Sequence, residues 1–150
     1  MENMGWKKDE YSISTDKSKI DIDVVHGYLS QSYWAEEIPK ETVKRSIENS
    51  LCFGVYKQEK QIGFARVISD CATFAYLADV FILEEERGKG LSKWLMEIII
   101  KHPQLQDLRR FTLATRDAHG LYEQFGFTLF DKPERWMQRH NPEIYRKSEI

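Results

Sequence analysis

The chain has 150 residues, 41 % hydrophobic and 31 % charged, with 22 Lys+Arg against 24 Asp+Glu for a net charge of −2. That length predicts a single domain over residues 1–150, able to bury about two-thirds of its unfolded surface in one core. The near-neutral balance excludes a global pull toward nucleic acid or an anionic membrane, so any cation-lined site has to be local. No apolar run approaches the ~20 residues of a membrane span, and the start MENMGWKKDEYS lacks the apolar core of a signal peptide. The expected location is cytoplasmic, with no membrane or nucleic-acid partner.

A short strand is predicted near Tyr11–Ser14. The stretch IDIDVVHGYL mixes apolar and polar residues and predicts a first helix over Ile22–Leu29, capped by Asp21 or Asp23. SQSYWAEEIP reads as a loop, and Pro39 fits the first turn of a second helix carrying Val43 and Ile47 four apart. LCFGVYK (Leu51–Lys57) and IGFARVIS (Ile62–Ser69), split by polar QEKQ, read as a hairpin, and ATFAYLADVFIL as a third strand antiparallel to the second. Leu91, Trp94, Leu95, Ile98 and Ile99 fall at i, i+3, i+4, i+7 and i+8, one apolar helical face that His102-Pro103 stops. RRFTLAT (Arg109–Thr115) is the next strand. A helix between two strands implies a crossover, so these two strands are expected to be parallel. DAHGLYEQFGF predicts a short helix closed by Gly126, and the tail predicts further strands around Thr128–Phe130 and Trp136–Gln138. Together these elements make an α+β domain with a mixed sheet.

Cys52 and Cys71 are too few for a metal site of their own. Each lies in an apolar, strand-like stretch and is expected to be a reduced, buried small hydrophobe, with a nucleophilic or redox role as the alternative.

Between the third strand and the long helix the chain reads ERGKGLS, Glu86–Ser92. It is not a P-loop, because Leu83 stands where the first glycine of G-x-x-x-x-G-K-[ST] belongs. Nor is it a dinucleotide fingerprint, because Lys93 fills the third glycine slot of G-x-G-x-x-G. A helix that opens near Gly90 still leaves unpaired N–H groups at the positive end of its dipole. Small residues at Gly88, Gly90 and Ser92 let an anion approach that backbone, and Arg87, Lys89 and Lys93 add local positive charge. The alternative is a turn whose glycines supply unusual backbone angles, with Glu84–Glu86 balancing the dipole.

Arg87-Gly88-Lys89-Gly90-Leu91-Ser92 resembles the acyl-CoA motif R/Q-x-x-G-x-G/A of the GNAT superfamily of N-acetyltransferases, where it also lies between a strand and an amphipathic helix. Leu121-Tyr122-Glu123-Gln124-Phe125-Gly126-Phe127 resembles that superfamily's L-Y-E-x-x-G-F, and the order of elements over residues 10–138 is similar too. Ser92 stands in place of the last Gly or Ala. Thr115 stands where many relatives carry an Asn that contacts the cofactor; it keeps one hydrogen bond of the two-sided amide pattern.

The resemblance implies a mostly antiparallel GNAT-like sheet flanked by helices, and acetyl-CoA as co-substrate without a metal. The pyrophosphate would rest on the amides of Arg87, Gly88, Lys89, Gly90, Leu91 and Ser92. The pantetheine arm would lie along Val80, Phe81 and Ile82 like an added edge strand, which requires the parallel strands carrying Phe81 and Leu113 to splay. A backbone N–H between Phe81 and Leu83 would stabilise the oxyanion.

By the family pattern Tyr122 protonates the leaving thiolate, as a phenol of ordinary pKa about 10 can; the alternative is a packed tyrosine with its hydroxyl tied elsewhere. Asp79, a lone carboxylate in an apolar strand, is the first candidate base, with an ion pair to Arg66 as the alternative. Asp117, His119 or a water relay are the other options. Tyr28, Tyr33 and Trp34, with Trp136 and Met137, would make an aromatic acceptor pocket, although such clusters are often core. Glu36 and Glu37 either attract a cationic amine or belong to a solvated loop. The resemblance thus implies an N-acetyltransferase acting on a small-molecule or peptide amine. The alternatives are another acyl group, a hydroxyl acceptor, or a non-catalytic acyl-CoA sensor. GNAT-like domains are often homodimers.

Overall fold

A computed structural model describes residues 2–146. Its strands form a single six-stranded sheet in chain order: β1 (Gly5–Lys8), β2 (Tyr11–Ser14), β3 (Leu51–Lys57), β4 (Lys60–Ser69), β5 (Phe74–Ile82) and β6 (Arg110–Leu113). All neighbours are antiparallel except β5 and β6, which run parallel as the intervening helix requires. β3 is buried over five consecutive residues, Cys52–Tyr56, because helices cover both of its faces.

Helix α1 (Ile22–Leu29) begins where the Asp21 carboxylate accepts from the amides of Asp23 and Val24. Pro39 is the N-cap of α2 (Lys40–Glu48), one position before the first turn predicted for it, and Val43 and Ile47 are buried. α1 and α2 cover one face of the sheet. Val25, Leu29, Val43 and Ile47 pack there on Cys52, Phe64 and Phe81. α3 (Leu91–Lys101) covers the other face, with Leu91, Leu95, Met96, Ile98 and Ile99 against Ile13, Phe53, Val55, Val67 and Leu77. The predicted stripe is present, and Met96 widens it. α4 (His119–Glu123) adds Tyr122 to the same core.

Four expectations are corrected. No strand forms at Thr128–Phe130 or Trp136–Gln138. Gly126 at φ +89° turns the chain, Phe127 packs on Phe111, and Pro133 opens a 3-10 turn at Pro133–Arg135. Phe130 and Trp136 stack on each other at 4.3 Å instead of entering a ladder. A strand at Gly5–Lys8, paired with Tyr11–Ser14, is an addition: its GWKK lacks apolar alternation, and it is built on pairing to its neighbour. Cys71 is exposed, while Cys52 is buried with its thiol pushed up to about 11 by desolvation. Cys71 sits in the turn between β4 and β5, where Asp70 accepts from the amides of Ala72, Thr73 and Phe74 and so breaks the apolar run. Finally, β6 is shorter than the predicted Arg109–Thr115.

Candidate functional site

Gly88 (φ +79°) and Gly90 (φ +77°) both adopt the left-handed region, so Lys89 is held between two turns that favour glycine. A Cβ at either glycine would meet no atom within 4 Å, so their requirement is conformational and the space beside them is open. Gly90 is the N-cap of α3, and no side-chain oxygen caps the helix. The first amides of an eleven-residue helix therefore face that space with the positive end of its dipole behind them.

Two of the three nearby cations are already engaged. Arg87 donates through Nε to the Ile82 carbonyl (3.0 Å) and through Nη2 to the Tyr28 hydroxyl (3.0 Å). Lys89 Nζ reaches Glu86 Oε1 at 3.0 Å and the Tyr11 hydroxyl at 3.2 Å. Lys93 is exposed on the helix. What this segment offers an anion is main chain first and side-chain charge second.

β5 and β6 pair from Phe74↔Arg110 to Leu77↔Leu113, where β6 ends, while β5 continues to Ile82. The parallel pair thus separates at Ala78, as an inserted ligand requires. On its other edge β5 carries a register shift: Phe64 faces Phe81 but Arg66 faces Ala78, so β5 holds one extra residue. Asp79 takes up the irregularity at φ +55°. The Leu83 N–H is spent on the Ile62 carbonyl at 2.8 Å, which removes it from the expected oxyanion donors. Strand alternation then turns Ile82 to the separated edge, where its carbonyl meets Arg87 and its N–H faces the gap.

The gap opens into a cleft of about 1170 Å³ that brings together Tyr28, Tyr33, Trp34, Asp79, Val80, Arg87, Thr115 and Tyr122. Phe81 and Ile82, expected along the same path, are buried outside the cleft lining, Phe81 under Tyr28, whose ring stacks on it at 4.1 Å. Gly88–Ser92 lie beyond Arg87, outside the cleft lining.

Tyr122 is 8 % exposed, and burial pushes its phenol up to about 12. Among the described residues its hydroxyl has no hydrogen-bond partner, which leaves the proton available to a group in the cleft. The hydroxyl of Thr115 accepts from the Ala118 amide at 3.0 Å and so helps to start α4. Its own proton can still be donated.

Asp79 is tied on both oxygens. Oδ2 accepts from Arg66 Nε at 2.8 Å, and Oδ1 from the Trp34 indole at 2.9 Å. Arg66 also donates to Ser50 Oγ at 3.2 Å. The carboxylate and guanidinium side chains are 10 % and 16 % exposed, so breaking either partner strands a largely buried charge. Asp117 is exposed, 3.7 Å from Arg116, and lines the same cleft. His119 lines a different one, beside the free edge of β6.

Tyr33 receives the Arg116 amide on its hydroxyl (3.2 Å) and the Arg116 guanidinium over its ring (4.0 Å). Trp136 and Met137 do not reach this pocket. Trp136 sits against Arg110 at 4.9 Å, and Met137 is 97 % exposed. Gln138, His140 and Tyr145 line it instead, with Tyr145 packed on the α1–α2 core. Nothing in the tail's composition signals this. Glu36 and Glu37 lie outside the cleft lining. Arg66 carried a readable signal, being a charge inside an otherwise apolar strand.

Among the described residues no group of three or more His, Cys, Asp or Glu gathers to hold a metal, and no helix is long and apolar enough to cross a membrane.

The family profile of an acetyltransferase (GNAT) domain matches residues 48–129. A Gibberella zeae protein assigned as an acetyltransferase is 30 % identical, over 78 % of this chain and 78 % of its own length. A GNAT-family crystal structure from Xanthomonas campestris pv. campestris superposes with a TM-score of 0.89 at 53 % identity, covering 91 % of this chain and 97 % of that one. An acetyltransferase of Clostridium acetobutylicum, solved with acetyl-CoA, has a TM-score of 0.61 at 13 % identity, over 93 % and 95 % of the two chains, and shares the fold.

Proposed function

The chain belongs to the GNAT family of acetyltransferases, and on that premise we propose that it moves an acetyl group from acetyl-CoA to a primary amine of a small molecule or peptide, directly, in a ternary complex. The observation that carries this reading is the separation of β5 from β6 at Ala78, which leaves the far edge of β5 unpaired beside the cleft that Arg87 and Tyr122 line. The structure solved with acetyl-CoA from Clostridium acetobutylicum supports the choice of donor for this fold.

Acetyl-CoA supplies an acyl group activated as a thioester. The amides from Gly88 to Ser92 hold its pyrophosphate without needing a side-chain cation; the Arg87 N–H, expected among them, is spent on the Glu84 carbonyl at 3.2 Å. The free edge of Val80–Ile82 aligns the pantetheine arm, and the Ile82 N–H is placed to stabilise negative charge on the thioester oxygen. Tyr122 gives its proton to the departing sulfur and regains one from solvent. Arg66 and Trp34 hold the Asp79 side chain in place on the cleft wall, where it can draw in an ammonium whose proton passes on to water. Trp34 and Tyr33 wall the acceptor side, with Tyr28 between them and Phe81.

Acetyl-CoA is expected to raise the melting temperature, since a ligand that binds only the folded state stabilises it. No shift at millimolar ligand overturns the donor assignment. Release of free CoA against a panel of amino acids, polyamines, aminoglycosides and peptides then identifies the acceptor.

A further inference from the structure

Glu86 is the one buried carboxylate residue among the described residues, 5 % exposed, and it sits directly before the glycine cradle. Its Oε1 accepts from the Tyr11 hydroxyl at 2.7 Å and from Lys89 Nζ at 3.0 Å, with Lys57 Nζ at 3.6 Å. Tyr11 and Lys57 are paired across β2 and β3, far from Glu86 in sequence. Glu86 therefore pins the connection between β5 and α3 to the opposite side of the sheet. The point it holds is Lys89, the residue between two left-handed glycines.

A negative charge beside an anion site weakens that site by simple electrostatics. The geometry explains its presence differently. Two glycines in succession give the cradle backbone large freedom, and ordering it on binding would cost affinity. A side chain anchored at the residue between them removes that freedom beforehand. We propose that Glu86, with Tyr11, is a positioning residue: by holding the Lys89 side chain it presets the amides of Gly88–Ser92 for the CoA pyrophosphate. This rests on the acyl-CoA reading of the cradle.

The two accounts of Lys89 predict opposite signs. If Lys89 is an anchored strut, Glu86→Gln weakens CoA binding even though it removes a negative charge. If Lys89 is a phosphate ligand restrained by Glu86, the same change frees it and tightens binding.

Calorimetric titration with CoA is expected to give a Kd about three- to tenfold higher for Glu86→Gln, the scale of re-ordering a short segment. Lys89→Met should give a similar rise, and the double variant no more than either single one. KM for acetyl-CoA should rise in Glu86→Gln while kcat at saturation stays within about twofold, a split that general loss of structure does not produce. Tyr11→Phe removes the hydroxyl's bonds to Glu86 and Lys89 but leaves Glu86 on Lys89, and tests the same sign at smaller size if Glu86→Gln folds poorly. Tighter or unchanged CoA binding in Glu86→Gln and Tyr11→Phe overturns the inference. Failure of the unaltered protein to bind CoA overturns the acyl-CoA reading itself, so the two failures are told apart.

Discussion

The cradle and the acceptor cleft meet at Arg87, yet they are built from different material. From Arg87 to Ser92 the surface is main chain, shaped by two glycines at φ +79° and +77° and an uncapped helix end. The cleft is side chains delivered from many places: Tyr33 and Trp34 from the loop after α1, Arg66 from β4, Asp79 from an irregular point in β5, Tyr122 from α4, and Gln138, His140 and Tyr145 from the tail. A backbone site needs only local conformation and can be written in a few adjacent residues. A side-chain site needs the whole fold to assemble it. One can serve the invariant end of a donor, while the other is free to differ in what it receives.

The largest expected effect tests whether the two regions meet at one reaction. Tyr122→Phe should lower kcat about 100- to 10,000-fold, the usual range for a lost general acid, with CoA affinity nearly intact. Unchanged turnover would detach Tyr122 from the chemistry. Because burial raises this phenol to about 12, it stays a proton donor at neutral pH, and its loss should not appear as a basic limb in the rate until pH nears that value. The sign for stability follows: its contribution is present below the ordinary tyrosine pKa of about 10 and fades as pH climbs through about 12.

Gly90→Val probes the main-chain region alone. A Cβ there meets no atom within 4 Å, so the expected effect comes chiefly from the left-handed backbone, which costs an L-residue about 1–2 kcal/mol and a β-branched one more. CoA affinity should fall at least about tenfold, measured by calorimetry; retained affinity would show that backbone geometry is not what binds. Asp79→Asn probes the side-chain region. Acceptor kcat/KM should fall about tenfold, as for one lost charge-assisted contact, with CoA binding unchanged. An unaltered pH–rate profile would assign proton removal elsewhere.

The same contrast governs how much could be read in advance. Leu51–Lys57, Ile22–Leu29 and the α3 stripe were legible because burial imposes a period on the sequence. ERGKGLS was legible because glycine reports backbone need. By contrast, TLF and WMQ in the tail are short apolar stretches that find no ladder, so apolar content without a partner edge misled. Glu86 was hidden in a run of three glutamates of which the other two are exposed. Nothing local distinguishes the one whose neighbour across the sheet is a tyrosine. Asp79 with Arg66 lay between these extremes: two opposite charges in adjacent apolar strands announce a pair, but not that Trp34 completes it.

The separation of β5 from β6 has one more consequence. A strand's unpaired backbone groups at the rim of a sheet invite any other chain to add itself, which is why rims are short, charged or covered. Here the unpaired stretch from Ala78 to Ile82 lies inside the sheet, between β4 and the departing end of β6. A polypeptide strand brings side chains above and below its own plane and would have to part the helix layers to enter. A slender chain of amides and methylenes would not. On the acyl-CoA reading, this interior edge takes a slender ligand where it would refuse a further strand.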